Sequence, residues 1–285
     1  MSHSRTTEPF STATIPPTAG KAPPVRQTLA FHLWVVLFFG ANLATLVLLG
    51  LQHYVWALVA FFLPAPWYTF QILNASARGL GPAVTHFKTA RREIWLTIDD
   101  GPDPESTPKV LDLLDTHGAR ATFFLIGEKI QRHPELVTEI LRRGHTLGNH
   151  TQTHPCSWFW FASGKKTGAE IDACTATLSA AGAPDTRWFR SPAGLRNPTL
   201  QGQLTQRGLD LVLWSARGYD TVWRNPAEVT ARIAADLHPG AIILLHENGT
   251  NTALQAEVFT RLFAHLARED YTCVIPSPEM LLRES

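Results

Sequence analysis

The residues Leu96-Thr97-Ile98-Asp99-Asp100-Gly101-Pro102-Asp103-Pro104 place two adjacent carboxylates at the end of an apolar, β-branched run, with a Gly-Pro turn directly after them. Neighbouring side chains on a strand point to opposite faces. At a fraying strand end, with Gly101 and Pro102 bending the chain away, both carboxylates can turn toward one pocket. Two carboxylates that close raise one another's pKa unless a cation neutralises one of them. One aspartate on a metal and the other acting as a base is a stable division of that charge. A solvated turn is the other reading these nine residues leave open.

Further groups of the same chemical kind follow, each after an apolar run. His150-Thr151-Gln152-Thr153-His154 spaces two imidazoles at i and i+4, which on a helical turn face one way. Neutral imidazole is a good zinc ligand, and with Asp100 the pair makes a His-His-Asp set that leaves a position for water. Arg190-Ser191-Pro192-Ala193-Gly194 offers an arginine that can hold a carboxylate such as Asp99 by charge-assisted hydrogen bonds. Its Pro-x-Gly turn can aim backbone N–H groups at an oxyanion. Leu244-Leu245-His246 adds an imidazole that can serve as a general acid. Cys156, close to the histidine pair, is expected to be a small buried thiol rather than a ligand.

These groups need a scaffold that brings strand ends together. From Glu93 onward, short strand patterns alternate with amphipathic helical ones. The strands are expected at Ile94–Ile98, Ala121–Leu125, His145–Asn149, Arg187–Arg190, Asp210–Trp214, Ala241–Leu245 and Thr272–Ile275. Helices are expected near 105–117, 134–143, 167–181, 197–207, 226–237 and 252–269, with Gly118, Gly144, Gly182 and Gly208 at C-caps. Seven such units imply an α/β fold with a parallel sheet, and about 195 residues is short for an eight-unit barrel, so a distorted, incomplete (β/α) barrel is expected.

The N-terminal third is different. Residues 1–27 are rich in Ser, Thr and Pro and read as a disordered tail. No Asp, Glu, Lys or Arg occurs from Gln27 to Ala77. Leu29 to Leu51 is long enough to cross a bilayer, and a second apolar run from Tyr54 to about Leu73 follows, broken by Pro64 and Pro66. A single span with an interfacial second run, or a hairpin of two spans, fits this pattern. Lys21 and Arg26 precede the pair and Arg78, Lys88, Arg91 and Arg92 follow it, while the turn carries no positive charge, which favours a hairpin with both ends cytoplasmic. The expected division is therefore a tail (1–27), a membrane anchor (28–73), a linker (74–92) and a catalytic domain (93–285), at a bacterial inner membrane.

Charge excludes one class of partner. The first 90 residues carry a net +4 and the rest a net −3, so the folded domain has no basic footprint for nucleic acid. Three cysteines without a CxxC pair make neither a disulfide framework nor a thiolate metal site.

In this order, TIDDGP, HTQTH, RSPAG and LLH resemble the motifs of the NodB-homology polysaccharide deacetylases, carbohydrate esterase family 4. The resemblance covers about residues 93–280. It implies a metal-dependent hydrolase, with zinc as the expected ion, that removes N-acetyl groups from an amino-sugar polymer or a lipid-linked saccharide. It implies Asp99 as base, Asp100, His150 and His154 as metal ligands, His246 as acid and Arg190 as the tether of Asp99. Ala193 and Leu244 fall at the oxyanion and substrate positions, and Asp220 falls where it would orient His246. Three positions depart from the pattern: Ala193 stands where the family has Tyr, Arg217 where it has Asp and Thr221 where it has Trp. Those departures leave a deformylase or O-acyl esterase as alternative activities. A membrane-anchored glycan-binding protein without catalysis is the alternative from another class. The aromatic run Trp158-Phe159-Trp160-Phe161, so near the histidine pair, can stack on sugars, sit at a lipid interface or simply pack a loop.

Overall fold

The structure is a computed structural model and describes residues 29–77, 79–247 and 252–284. The tail over 1–27 and the charges Lys21, Arg26 and Arg78 lie outside the described residues.

Apolar sequence at the start of the described chain makes helix α1 (Leu29–Gly50), which turns through Gln52 into α2 (Tyr54–Phe62) and, past Pro64, α3 (Ala65–Leu73). Pro64 has no N–H to continue the ladder, which is why the second run splits in two. The two arms pack as a hairpin: Thr45 Oγ1 donates to Ala57 O, and Trp34 Nε1 donates to Pro64 O at 3.2 Å. Leu33, Val36, Phe39, Leu43, Val55, Leu58 and Phe62 remain exposed on its outside. Each arm, His32–Gly50 and Tyr54–Leu73, is long and apolar enough to cross a membrane.

The segment expected as a linker is held down. It carries β1 (Ala83–Phe87), and the buried Arg196 guanidinium donates to Ala75 O, Ala77 O and Gly81 O. Beyond it run β2 (Glu93–Gly101), α4 (Thr107–Thr116), β3 (Ala121–Leu125), α5 (Gly127–Arg132), α6 (Pro134–Arg142) and β4 (Thr146–Asn149). Then come α7 (Gly164–Ala180), β5 (Trp188–Phe189), α8 (Leu200–Arg207), β6 (Asp210–Leu211), β7 (Ala216–Arg217) and α9 (Pro226–Ala235). The chain ends with β8 (Ile242–His246), α10 (Thr252–Arg268), β9 (Thr272–Cys273) and β10 (Leu281–Glu284).

Seven parallel strands lie in the order β6-β5-β4-β3-β2-β8-β7, with β9 alongside the start of β2. β6 and β7, the two ends of that path, do not pair, so the barrel is open. Antiparallel β1 and β10 form a separate ribbon, and β1 touches Val212 and Ala241 at single bridges. The expected distorted barrel is thus observed. Short α5 and two-residue β7 carry too little pattern to be read in advance.

Alternation on the strands sorts the core. On β2, Ile94, Leu96 and Ile98 face outward into the layer formed with Leu111, Leu114, Val258 and Leu262 of α4 and α10. Trp95, Thr97 and Asp99 face inward, where Trp95 packs with Phe124, Trp188 and Ile242. Each fully buried large apolar side chain contributes roughly 1.5–3 kcal/mol. The inward row ends in Asp99, at the carboxyl rim of the sheet.

Candidate active site

Asp99 and Asp100 reach the same pocket through a bulge rather than a frayed end. β2 stays paired to Gly101, but its register on β3 slips: Asp99 faces Phe124 and Gly101 faces Leu125, leaving Asp100 as the extra residue at φ 73°. Lys129 Nζ donates to Asp100 O at 2.6 Å and holds the bulge. Gly101 is required here, because a Cβ would meet Glu247 Oε1.

The histidine pair also departs from expectation. Residues 150–154 form a bent loop with Thr151 at φ 67° and His154 at φ 53°, not a helical turn. The loop is gripped from outside: Gln152 N and Thr153 N donate to Glu170 Oε2, Thr151 N donates to Asn149 Oδ1, and Gly127 N donates to Thr151 O. This conformation brings the rings within 4.8 Å, centroid to centroid. His150 Nδ1 bonds Arg190 O at 2.8 Å, which leaves Nε2 for the pocket.

Asp100 Oδ1 lies 3.4 Å from His150 Nε2 and 3.3 Å from His154 Nε2. Asp100, His150 and His154 offer three donor atoms within 4.8 Å of one another. Asp100 Oδ1 is buried and makes no hydrogen bond. Burial alone would raise the Asp100 carboxyl, but His150, 3.4 Å away, and the surrounding imidazoles hold it well below the usual carboxylate range. Burial, helped by the nearby His150, pulls His154 down to about 4, so it is a neutral donor at pH 7. An orphaned carboxylate oxygen facing two imidazole Nε2 atoms fits a divalent ion. Cys156, expected to be buried, is exposed, with Sγ 3.6 Å from His154 Nδ1 and outside this donor cluster, because the loop turns it toward the rim.

Arg190 is fully buried in the barrel, and each of its guanidinium nitrogens is bonded. Nη1 donates to Asp99 Oδ1 at 2.7 Å and to Thr97 Oγ1 at 2.8 Å, Nε to Val212 O, and Nη2 to Leu213 O. Its guanidinium lies 4.2 Å over the Phe124 ring. Removing one partner of such a buried pair costs about 3–5 kcal/mol. Asp99 Oδ2 stands 3.7 Å from His150 Nε2, at the edge of the donor cluster.

Across the pocket, Asp220 accepts from the His246 backbone N–H at 2.8 Å and bonds its Nδ1 at 2.9 Å, leaving Nε2 as the free ring nitrogen. Burial lowers the His246 pKa, but the charges of Asp220, Asp100 and Asp99 outweigh it and hold the imidazole up at about 9. Ala193 sits exposed in the short turn Pro192–Gly194 at φ 51°, and Leu244 is buried in one cluster with Trp214. Arg217 lies half-buried, 3.8 Å over the Tyr219 ring and 5.0 Å from Trp214, with Nε unbonded. Thr221 is exposed. Among the described non-glycine residues with positive φ, only Gln52 and Asp270 are outside this rim; Asp100, Thr151, His154, Ala193 and Tyr219 all belong to it.

Sequence reasoning missed Lys129, Glu170 and Glu247. The first two act on backbone from distant elements and carry no local signal. Glu247 is fully buried, neither oxygen makes a hydrogen bond among the described residues, and burial pushes it up to about 8. Its adjacency to His246 was the one available hint.

An open α/β barrel with carboxylates and imidazoles gathered at its carboxyl rim is an arrangement suited to metal-assisted hydrolysis. The profile of the polysaccharide deacetylase family matches residues 86–212. A peptidoglycan-N-acetylglucosamine deacetylase of Bacillus cereus is 32% identical over 187 residues, covering 65% of this chain and 86% of the relative. A chitooligosaccharide deacetylase of Bradyrhizobium is 35% identical over 162 residues, covering 55% and 71%. Among solved structures, the Bc1960 peptidoglycan N-acetylglucosamine deacetylase superposes with a TM-score of 0.64 at 27% identity, covering 69% of this chain and 91% of that one. The chain belongs to the NodB-homology polysaccharide deacetylases, carbohydrate esterase family 4, and is a deacetylase-type hydrolase of carbon–nitrogen bonds other than peptide bonds.

Proposed function

We propose that the protein is a metal-dependent N-deacetylase of an amino-sugar glycan, with Asp100, His150 and His154 holding the ion. The observation that carries this reading is the buried, unbonded Asp100 Oδ1 facing two Nε2 atoms, directly beside a tethered second carboxylate. The Bc1960 relative was crystallised with an N-oxidanyl-benzamide, a hydroxamate, and hydroxamates chelate divalent metals. A zinc ion in this donor set would supply Lewis acidity, polarising the acetyl carbonyl and acidifying water.

The chain's own residues then divide the proton transfers. Arg190 occupies Asp99 Oδ1 and orients the carboxylate, so Asp99 takes the proton of the attacking water. The backbone N–H of Ala193 is assigned as donor to the oxyanion. His246, protonated and aimed by Asp220, gives its proton to the leaving nitrogen as the C–N bond breaks, yielding acetate and the free amine. The apolar hairpin is proposed as a two-span anchor that leaves both ends on the cytoplasmic side of a bacterial inner membrane, with residues 93–285 as the catalytic domain and 74–92 connecting the two.

The test is acetate release from an N-acetylated chitooligosaccharide by the full-length protein. Chelation is expected to abolish it and zinc to restore it. Turnover that survives complete removal of bound metal would overturn the reading.

A further inference from the structure

Three features of the segment that follows the histidine loop lie outside the chemistry of the site. The first is an exposed aromatic edge. After His154 the chain runs through Pro155 to Trp158–Phe161, where Phe159 is fully buried as an anchor while Trp160 and Phe161 are 39% and 58% exposed. Asn197 Nδ2 donates to Phe159 O and fixes the loop from beneath.

The second is where this edge sits. The Tyr68 hydroxyl donates to Trp160 O at 2.8 Å. Tyr68 belongs to α3, five residues before the end of the second apolar arm, which at about 1.5 Å per residue is roughly 8 Å from that end. Trp34 of α1 stacks on Trp67 and Tyr68 at 5.3 and 5.2 Å, so one aromatic layer crosses both arms at the height of the Trp160 loop. Such layers mark the level of the headgroups. The placement is firm, because Ile72 packs in one buried cluster with Phe159, Phe189 and Leu200, and Arg196 clamps three carbonyls of the segment that follows.

The third is charge. Lys165 and Lys166 follow the loop, both exposed, with Lys166 Nζ 5.6 Å over the Trp158 ring. Exposed aromatic side chains with adjacent lysines suit an interface of anionic headgroups.

We infer that the Trp160–Phe161 edge lies in the bilayer interface beside the hairpin, so that the pocket opens onto the membrane and its substrate is an acylated amino sugar carried on a lipid. The substrate part rests on the deacetylase reading; the seating of the loop does not. Continuity of the aromatic edge with the hairpin is what selects a bilayer as the occupant of this surface. A membrane-level mouth within one loop of His154 reaches a sugar held at the headgroups.

The experiment uses zinc-loaded full-length protein in phosphatidylethanolamine–phosphatidylglycerol vesicles. Cys174 and Cys273 are buried, so a Cys156→Ser background accepts a single environment-sensitive label at Phe161→Cys, or at Ser179→Cys on the far end of α7. Nitroxide lipids are expected to quench the label at 161 and leave the one at 179 untouched. Equal access of aqueous iodide to both labels would overturn the seating. Separately, Trp160→Ser/Phe161→Ser is expected to lower kcat/KM on a vesicle-borne, lipid-linked N-acetylglucosamine by about tenfold or more, while hydrolysis of soluble N-acetylated chitooligosaccharide stays within about twofold. An equal loss on both substrates would overturn the substrate assignment. If the unaltered protein hydrolyses neither, the deacetylase reading and the substrate assignment both fall, and the quenching alone still decides the seating.

Discussion

On the β2 side of the pocket each reactive group is gripped from behind by buried partners, whereas on the β7 side the wall is a stack of side chains over an exposed loop. Asp99 is bonded to an Arg190 that is itself bonded to Thr97, Val212 O and Leu213 O. Asp100 rides a bulge pinned by Lys129, and the histidine loop hangs from Glu170. Opposite, Arg217 rests on the faces of Tyr219 and Trp214, and residues 221–225 are exposed. The three departures from the family pattern, Ala193, Arg217 and Thr221, lie outside the gripped set, in the short turn after β5 and on this second wall. A buried, bonded network tolerates no exchange of partners, because a stranded charge costs several kcal/mol. A stacked, half-exposed wall can change its residues at little cost. On the proposed mechanism, the difference separates the residues assigned to the chemistry, which are held, from the wall where the departures lie, which is loosely held.

The sharpest break of this comparison is on the gripped side. Asp99→Asn is expected to lower turnover by a factor of about 10²–10⁴, the usual contribution of a general base, while bound zinc stays at the level of the unaltered protein. The amide that replaces the carboxylate still accepts from Arg190 but leaves the guanidinium charge unpaired, so a loss of about 3–5 kcal/mol of stability is expected as well, and turnover and metal content are compared on folded protein. Asp100→Asn is expected to lose both activity and zinc. Metal analysis of the two purified variants decides the matter: loss of zinc from Asp99→Asn would mean the aspartates are assigned the wrong way round.

Asp220 is the one member of the β7 wall that belongs functionally to the gripped side. It raises the His246 pKa, so the acid form persists up to about pH 9 and activity falls as pH rises through that value. Asp220→Asn removes the largest upward influence on the imidazole, and the alkaline limb of the kcat profile is expected to move to lower pH. At neutral pH turnover drops by about 10²-fold, within the range of a general acid. An alkaline limb that does not move would show that the limb belongs to another group.

The motifs were legible because chemistry restricts residue type, and each closes a strand whose apolar run is itself readable: the expected Ala121–Leu125 is β3 residue for residue. The Gly208 cap was legible for a backbone reason, since the helix ends in a left-handed residue at φ 65°. What closes the site was not. The bulge at Asp100 and the bent histidine loop are made by Lys129 and Glu170, 29 and 18 residues away in sequence from the groups they bond. A local reading supplied a frayed end and a helical turn because those are the cheapest local routes to convergence. β1 escaped for the same reason: its pairing with β10 joins opposite ends of the described barrel domain, and no local pattern announces a partner that remote.

The smallest effect is expected at Arg217, and it measures how loose the second wall is. The guanidinium makes no hydrogen bond through Nε, and burial lowers its pKa, so its hold on the fold is the stacking on Tyr219 and Trp214. A partly desolvated cation–π contact is worth about 0.5–2 kcal/mol. Trp214 has a second hold, since its ring closes on Gly194 so tightly that a Cβ there would collide with it. Arg217→Ala is therefore expected to change KM by less than about tenfold and leave kcat within about twofold, with zinc content unchanged. Arg217→Lys should fall between, because an ammonium does not stack as a planar guanidinium does. A hundredfold drop in kcat would place Arg217 with Asp99 and His246 in the proton-transfer network, and the division between a fixed wall and a variable one would fail at its central residue.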